Sequence, residues 1–169
     1  MADALDRVVR EEGVGKVILS GDEVVVPLLR GQLPKHVEER VVDVLSLGTA
    51  TPETEVLRET MDAIRRRDAR DEVELVRRAV EGYRGGGLGV VGAAETRAAL
   101  ENGQVHELLI AATPDRVDAE GGGGAADELV KLARQTSAKV TFIEDATLLA
   151  DADGVAALLR YRIAPGRAA

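Results

Sequence analysis

The first 50 residues alternate between amphipathic and uniformly apolar segments. Residues 2–12 (ADALDRVVREE) have the apolar spacing of a short helix. Two compact β-branched runs, KVILSG at 16–21 and VVDVLSLG at 41–48, are typical of buried strands. Between them, Asp22 is placed to cap a second helix. This order of helix, strand, helix and strand predicts a parallel pair of strands with helices packed against it.

A long polar helix is predicted next. Thr51-Pro52-Glu53 combines a capping hydroxyl, a proline at the first helical position and an acid in the first turn. No glycine follows until Gly82, so one helix of roughly 30 residues, about 45 Å long, is expected. Apolar stripes lie near its two ends, and the middle, RRRDARDE at 65–72, has almost nothing to bury. The pattern predicts a connector helix between two globular units.

The remaining sequence alternates strands with helices. Strands are predicted at 88–92, 105–112, 139–143 and 154–163, helices at 93–103 and 126–136, and a short helix or loop at 145–153. The alternation predicts a three-layer α/β/α sandwich with a mostly parallel sheet. The predicted domains are therefore 1–50 (a partial α/β middle domain), 51–84 (the connector helix), 85–164 (the C-terminal α/β/α domain) and 165–169 (a disordered tail). Glycines 121–124 predict a mobile surface loop.

Composition narrows the functions that this fold can have. The chain has one Phe, two Tyr and no Trp, so aromatic platforms for stacking bases are nearly lacking. Its formal net charge of −8 disfavours binding to the phosphate backbone of nucleic acids unless the basic side chains are clustered. The lack of cysteine excludes disulfides, thiolate metal sites and cysteine nucleophiles. No apolar run is long enough to span a bilayer or to form a signal peptide, which predicts a cytoplasmic protein.

Several segments, which occur in order along the chain, have the pattern of a known protein family. Residues 85–110 (GGGLGVVGAAETRAALENGQVHELLI) resemble the start of the C-terminal domain of the archaeo-eukaryotic class-1 release factors and Pelota, a family that includes bacterial release-factor-like proteins. The resemblance resumes at 128–143 (ELVKLARQTSAKVTFI) and at 154–163 (GVAALLRYRI). Residues 16–48 resemble the end of the family's middle domain. The matching positions in the first segment are Gly92, Thr96, Ala99, Leu100, Gly103 and Val105.

The resemblance implies a binding function without catalysis. In eukaryotic relatives the C-terminal domain recruits a translational GTPase, so a role in translation termination or ribosome rescue is implied, with the ribosome or a translational GTPase as partner. True release factors carry Gly-Gly-Gln on a middle-domain loop. The only similar string here is Arg30-Gly31-Gln32, predicted to be a helix end after the first strand. No counterpart of the codon-reading N-terminal domain is recognised, and residues 1–48 resemble only half of the middle domain.

A second hypothesis is RNA binding, because the C-terminal unit also resembles the fold of kink-turn RNA-binding ribosomal proteins. Their motif G-x-N-E-x-x-K maps onto Gly92 and Glu95, but Ala94 and Ala98 replace the Asn and the Lys. Arg97 lies one position early, and Arg160 and Arg162 would extend the surface. The lost amide and lysine, together with the net charge, disfavour this hypothesis. A third hypothesis is that the chain is the C-terminal fragment of a longer factor that hydrolyses peptidyl-tRNA.

The other groups of residues that could form a site are expected to have structural roles. His36 and His106 are the only histidines and have no metal-site spacing. The acidic set comprises Glu144, Asp145, Asp151 and Asp153 and matches no calcium loop. The glycines of G-x-G-x-x-G (Gly87, Gly89, Gly92) precede or lie within a strand, rather than at the turn after it. No catalytic residue, cofactor or metal is therefore expected.

One basic cluster remains as a candidate contact. It consists of Arg65, Arg66, Arg67 and Arg70 in the middle of the long helix. Neighbouring acids at helical spacing would neutralise these arginines on a solvated face. Their functional interpretation is a contact with ribosomal RNA or with an acidic partner. Oligomeric state is not predicted.

Overall fold

A computed structural model describes residues 1–113 and 124–162 of the chain. Contacts between residues divide it into two compact units, Met1–Asp68 and Ala69–Ala169. The four-part division expected from the sequence stays a prediction. Most of the predicted glycine loop and the predicted disordered tail lie outside the described residues. Within the described ranges, no helix is long and apolar enough to cross a membrane.

The first unit is built on two parallel strands, β1 (Val17–Ser20) and β2 (Val41–Leu45). Three helices, α1 (Ala2–Glu11), α2 (Val25–Arg30) and α3 (Lys35–Glu38), belong to the same unit. The predicted parallel pair is thus confirmed. A small aliphatic core joins these elements and comprises Val9, Val17, Leu19, Val26, Leu33 and Val37.

Helix α2 begins where the sequence predicts. The Asp22 carboxylate accepts hydrogen bonds from the backbone N–H groups of Val24 and Val25, at 2.9 and 2.7 Å. These two donors would otherwise have no partner in the first turn of the helix. Pro27 is tolerated because it lies in that first turn, where its missing N–H removes no helical hydrogen bond.

A single helix, α4, runs from Glu53 to Arg84 and contains 32 residues. It begins in the first unit and ends in the second. The carbonyl of Pro52 accepts hydrogen bonds from the N–H groups of Glu55 and Val56, which closes the first turn. The helix continues through Gly82 for two more residues, although glycine is a weak helix former.

The second unit contains a four-stranded sheet with helices on both faces. Its strands are β3 (Gly89–Val91), β4 (Val105–Ala111), β5 (Lys139–Ile143) and β6 (Val155–Leu159), in the spatial order β3-β6-β4-β5. The other elements are α5 (Ala93–Glu101), α6 (Ala125–Gln135) and a 3-10 helix (Ala146–Ala152). The α/β fold class is confirmed.

Strand directions differ from the predicted mostly parallel sheet. Strand β4 is parallel to β5, but β6 is antiparallel to both of its neighbours, β3 and β4. Only one of the three pairings is therefore parallel. The reason is that β6 returns through the short 3-10 helix and inserts between β3 and β4. Strand β6 is buried at all five positions, and a run that is apolar on both faces gives no information on direction.

The sheet is covered on both faces. On one face, α5 and α6 contribute Leu100, Leu129 and Ala133 to a core with Leu108 and Val155. On the opposite face, Val76 and Ala79 of α4 and Leu149 of the 3-10 helix pack against β4 and β6. Because the two cores lie on opposite faces of the sheet, the unit has the predicted three layers, with helices on each side of the strands. They are almost purely aliphatic, as the composition requires.

A close crossing of α4 and β3 explains two of the glycines. Gly89 is buried, and a Cβ atom on it would lie 2.0 Å from the carbonyl oxygen of Ala79 and 2.6 Å from the nitrogen of Tyr83. A Cβ on Gly82 would lie 3.0 Å from the nitrogen of Gly89. Both backbones therefore touch where no side chain fits. Within the G-x-G-x-x-G string, Gly89 lies in β3 and allows this close packing.

Candidate binding surfaces

The predicted basic cluster of α4 is exposed, and the ion pairs of Arg65 and Arg66 are long. Arg65 Nη1 lies 3.7 Å from the Asp62 carboxylate, and Arg66 Nη2 lies 3.3 Å from that of Asp43. Their side chains are 73% and 49% exposed. Arg67 is also exposed in the first unit, and Arg70 is exposed on the part of α4 that belongs to the second. Since exposed ion pairs are worth about 0–1 kcal/mol, these guanidinium groups can exchange partners at little cost.

The residues of the kink-turn-like motif are arranged differently. Arg97 on α5 is 2.8 Å from the carboxylate of Glu128 on α6, so its charge is neutralised within the fold. Glu95 is exposed in the first turn of α5 and adds negative charge to the same surface. Gly92 has a φ of 87° at the start of that helix, a conformation that favours glycine. RNA binding at this surface stays a prediction that the observed pairing does not favour.

Arg160 and Arg162 hold backbone carbonyl groups instead of forming an open basic patch. Arg160 Nη2 donates to the carbonyl of Ser137 at 2.6 Å and to that of Thr136 at 3.4 Å, just beyond the end of α6. Arg162 Nη1 donates to the carbonyl of Gly86 at 2.8 Å. The last strand ends at Leu159, before the predicted 163, and both arginines lie beyond its end.

Removing the Arg160 side chain should destabilise the second unit. A cation at a helix C-terminus interacts favourably with the unpaired carbonyl groups there. For Arg160→Ala, we expect the free energy of unfolding to fall by about 1 kcal/mol, measured by urea denaturation. Arg97→Ala is the matched control, because it removes only an exposed ion pair to the same helix and should cost less. Equal losses in the two variants would contradict the capping role.

A buried carboxylate in the second unit was not singled out from the sequence. Glu107 lies on β4 and is 5% exposed. Its Oε1 accepts hydrogen bonds from Lys139 Nζ and Thr141 Oγ1 of β5, both at 2.7 Å. Burial raises the pKa of Glu107, but these two hydrogen bonds outweigh it and hold the pKa below its ordinary value. The sequence signal was a glutamate in an apolar strand and two polar residues with strand alternation in the next.

Of the two histidines, His36 contacts an acidic residue and His106 is exposed. His36 Nε2 lies 2.6 Å from Asp6 Oδ1, and the same oxygen accepts a hydrogen bond from Arg10 at 2.9 Å. The hydrogen bond from Arg10 lowers the pKa of Asp6. The contact between His36 and Asp6 joins α3 to α1. His106 is exposed on β4.

The carboxylates near the end of the sheet do not form a metal site. Asp145 caps the 3-10 helix by accepting hydrogen bonds from the N–H and the hydroxyl of Thr147, at 3.0 and 2.6 Å. Those hydrogen bonds lower the pKa of Asp145. Asp153 adopts a left-handed conformation in the turn before β6. Across residues 1–113 and 124–162, no group of three or more side chains could hold a metal ion.

An apolar groove between α6 and the outer strand β5 was also missed. This α6–β5 groove has a volume of about 500 Å³, and its lining includes Ile110, Ala126, Val130, Lys131, Arg134 and Phe142. Phe142, the only phenylalanine of the chain, is 55% exposed at its edge. An exposed aromatic beside a groove is typical of an interaction surface.

The second unit therefore combines a four-stranded sheet, helices on both of its faces and a buried Glu107 that joins two strands, which defines the class of layered α/β domains. Residues 69–163 match the family eRF1 domain 3, and residues 1–65 match bacterial archaeo-eukaryotic release factor family 10. The chain belongs to the eRF1 domain 3 family, and the predicted likeness to release factors and Pelota is confirmed. No curated protein sequence matches the chain.

Solved structures of Pelota-type proteins share the fold. Dom34 of S. cerevisiae, a translation termination-like factor, superposes with a TM-score of 0.69 and 16% identity, over 97% of this chain and 52% of Dom34. Ribosome-bound archaeal Pelota gives a TM-score of 0.64 and 25% identity, over 96% of this chain and 48% of Pelota. Pelota of Archaeoglobus fulgidus gives 0.58 and 18%, over 94% and 54%. The chain thus spans about half the length of these proteins.

Proposed function

We propose that this chain is a non-catalytic, release-factor-like binding module that acts in translation termination or ribosome rescue. The observation that carries the proposal is the match of residues 69–163 to eRF1 domain 3, on a unit with the corresponding layered fold. The chain would act by binding the ribosome or a translational GTPase, and it would work in the cytoplasm. Structured-RNA binding of the kink-turn type is the weaker alternative, because Arg97 is paired with Glu128.

The similar structures support this kind of partner. Archaeal Pelota was determined bound to the ribosome together with ABCE1. Yeast Dom34 is described as acting in RNA quality control and as interacting with Hbs1. The archaeal Pelota is 25% identical to this chain, over 96% of this chain and 48% of Pelota. A partner drawn from the translation machinery is therefore the natural proposal for this chain.

A non-catalytic role agrees with the surroundings of Arg30-Gly31-Gln32. Gly31 directly follows α2, with a helical φ of −65°, and its N–H bonds to the carbonyl of Pro27. The tripeptide therefore continues a helix end and is not presented on an extended loop. A catalytic loop supplied by a longer protein is the alternative, and it would place the chemistry outside these 169 residues.

The ribosome contact that we propose is formed by Arg65, Arg66 and Arg67. On a chain with a net charge of −8, binding to RNA phosphates requires locally clustered cations. These three arginines are consecutive and exposed, and the two ion pairs described for Arg65 and Arg66 are longer than 3.2 Å. Phosphate oxygens can replace such partners, with release of counterions. Arg70, which belongs to the second unit, is a separate candidate contact of the same kind.

Co-sedimentation with ribosomes at several salt concentrations tests the proposal. We expect the 169-residue chain to sediment with ribosomes or their subunits. The triple variant Arg65→Glu, Arg66→Glu, Arg67→Glu should bind at least about tenfold more weakly and with a shallower salt dependence. The matched control carries Arg7→Glu, Arg78→Glu and Arg84→Glu, which makes the same change in net charge at other exposed positions.

The possible outcomes test the proposed function and the proposed arginine contact separately. If the unaltered chain does not sediment with ribosomes and captures no purified translational GTPase at low salt, the proposed function is wrong. If it binds but both triple variants lose binding equally, the function stands and the assigned contact is wrong. Circular dichroism of all three proteins checks that the variants remain folded.

A further inference from the structure

The short connection between α5 and β4 contains the only asparagine of the chain, Asn102, which is followed directly by Gly103. Asn102 is exposed, so solvent reaches its side-chain amide. In an asparagine-glycine pair, the peptide nitrogen of the glycine can attack the carbonyl carbon of the asparagine side chain, because glycine has no Cβ to hinder the approach. The pair is therefore a candidate site of spontaneous chemical modification.

The folded backbone holds the two reacting groups apart. Asn102 has a φ of −82° and a ψ of 0°, and the N–H of Gly103 donates to the carbonyl of Leu100 at 2.9 Å. The N–H of Gln104 donates to the carbonyl of Ala99, also at 2.9 Å. Ring closure requires rotation about the Cα–C bond of Asn102, which displaces Gly103 and Gln104 from these hydrogen bonds. The reaction therefore requires local opening at the end of α5, and helix ends are where opening is easiest.

We propose that Asn102 is a deamidation site whose reaction is limited by the opening of the last turn of α5. The nitrogen of Gly103 forms a bond to Cγ of Asn102, and the bond from Cγ to the side-chain nitrogen breaks. That nitrogen leaves as ammonia with the proton of the Gly103 N–H, and a succinimide ring remains. Water then opens the ring at one of its two carbonyl groups, which gives either aspartate or isoaspartate. In isoaspartate the main chain passes through the side-chain carbon and is longer by one methylene group.

The product weakens the connection between the end of α5 and the residues that follow β6. The carbonyl of Gln104 accepts a hydrogen bond from the N–H of Arg160 at 2.7 Å, and Gln104 Nε2 donates to the carbonyl of Tyr161 at 3.4 Å. A longer main chain at position 102 displaces Gln104 from both partners. The new carboxylate also lies at the C-terminal end of α5, where the partial negative charge of the helix opposes it. The modified chain is therefore less stable than the original one.

Peptide mapping by mass spectrometry of the 169-residue chain, incubated at mildly alkaline pH, tests the proposal. Isoaspartate is detected separately by methylation with a protein-isoaspartate methyltransferase. We expect residue 102 to deamidate in both states, at least about tenfold more slowly in the folded chain than in concentrated urea. Asn102→Gln, which closes a five-membered ring no longer, should remove the rapid modification in urea.

Gln104→Ala tests the opening step. This substitution removes the hydrogen bond to the Tyr161 carbonyl, so deamidation of the folded chain should become about threefold faster while the rate in urea stays the same. Gln135→Ala is the matched control, because it makes the same substitution at the exposed last residue of α6. It should leave both rates unchanged.

The effect of the product is measured by urea denaturation of the aged chain. The isoaspartate fraction should unfold at a lower urea concentration than fresh protein, and Asn102→Asp, which adds the charge without lengthening the main chain, should lie between them. Lack of deamidation at residue 102 in urea would overturn the assigned site. Equal rates in the folded and the unfolded chain would overturn the control by local opening. So would equal acceleration of the folded chain by Gln104→Ala and Gln135→Ala.

Discussion

Replacing Gly89 with alanine is expected to lower the free energy of unfolding by about 3 kcal/mol or more, or to prevent folding of the second unit. The added Cβ would lie 2.0 Å from the Ala79 carbonyl oxygen and 2.6 Å from the Tyr83 nitrogen. Both are backbone atoms of α4, so no side chain can rotate away to make room. Strand β3 and helix α4 would have to separate, which would disturb the core around Val76 and Ala79.

Urea denaturation followed by circular dichroism measures this effect. Gly87→Ala is the matched control, because a Cβ there meets its nearest atom, the Gly82 carbonyl oxygen, at an ordinary 3.4 Å. Its φ is not in the left-handed region, so we expect a change smaller than about 1 kcal/mol. If the two variants were equally stable, the crossing of α4 and β3 would be looser than described.

Replacing Glu107 with glutamine is expected to have the second largest effect, about 1–2 kcal/mol at pH 7. The substitution keeps the size of the side chain but removes the charge that binds Lys139 and Thr141. Because the pKa of Glu107 is lower in the folded chain than its ordinary value of 4.5, ionised Glu107 stabilises the fold at any pH above that value. This stabilisation is lost as the pH falls through the folded-state pKa.

Unfolding measured between pH 7 and pH 3 gives the check. The difference in stability between the unaltered chain and Glu107→Gln should be constant near neutral pH and shrink below about pH 4.5. Glu101→Gln, at an exposed position of α5, is the control and should change stability little at any pH. A difference that stays constant down to pH 3 would mean that the charge of Glu107 contributes nothing.

Much of the fold was predictable because its elements are strongly patterned. The strands KVILSG and VVDVLSLG were located correctly from their compact apolar runs, and the helix ADELVKLARQT from its periodicity. The direction of β6 in the sheet was not predicted correctly. A strand such as VAALL, buried on both faces, has the same apolar pattern in a parallel and in an antiparallel sheet. Only the pairing partners, which are distant in sequence, determine its direction.

The roles of the candidate contact residues were also only partly predictable from the sequence. Arg97 and Arg160 were selected for their charge, but the fold uses them for an ion pair and a helix end. Nothing in the local sequence distinguishes an arginine that binds a carbonyl from one that faces solvent. Phe142 was counted as one of few aromatics and not recognised as exposed. Its exposure could be explained only from the strand order, which places β5 at the edge of the described sheet.

The position of β6 in the sheet has a consequence for synthesis of the chain. Strand β3 is translated early in the second unit, yet its partner in the sheet is β6, which is translated about 60 residues later. Until β6 leaves the ribosome, β3 and β4 have no bridge between them, and the apolar faces of α5 and α6 have only part of a sheet to cover. The second unit should therefore complete its folding late, after nearly all of its residues have been added to the nascent chain.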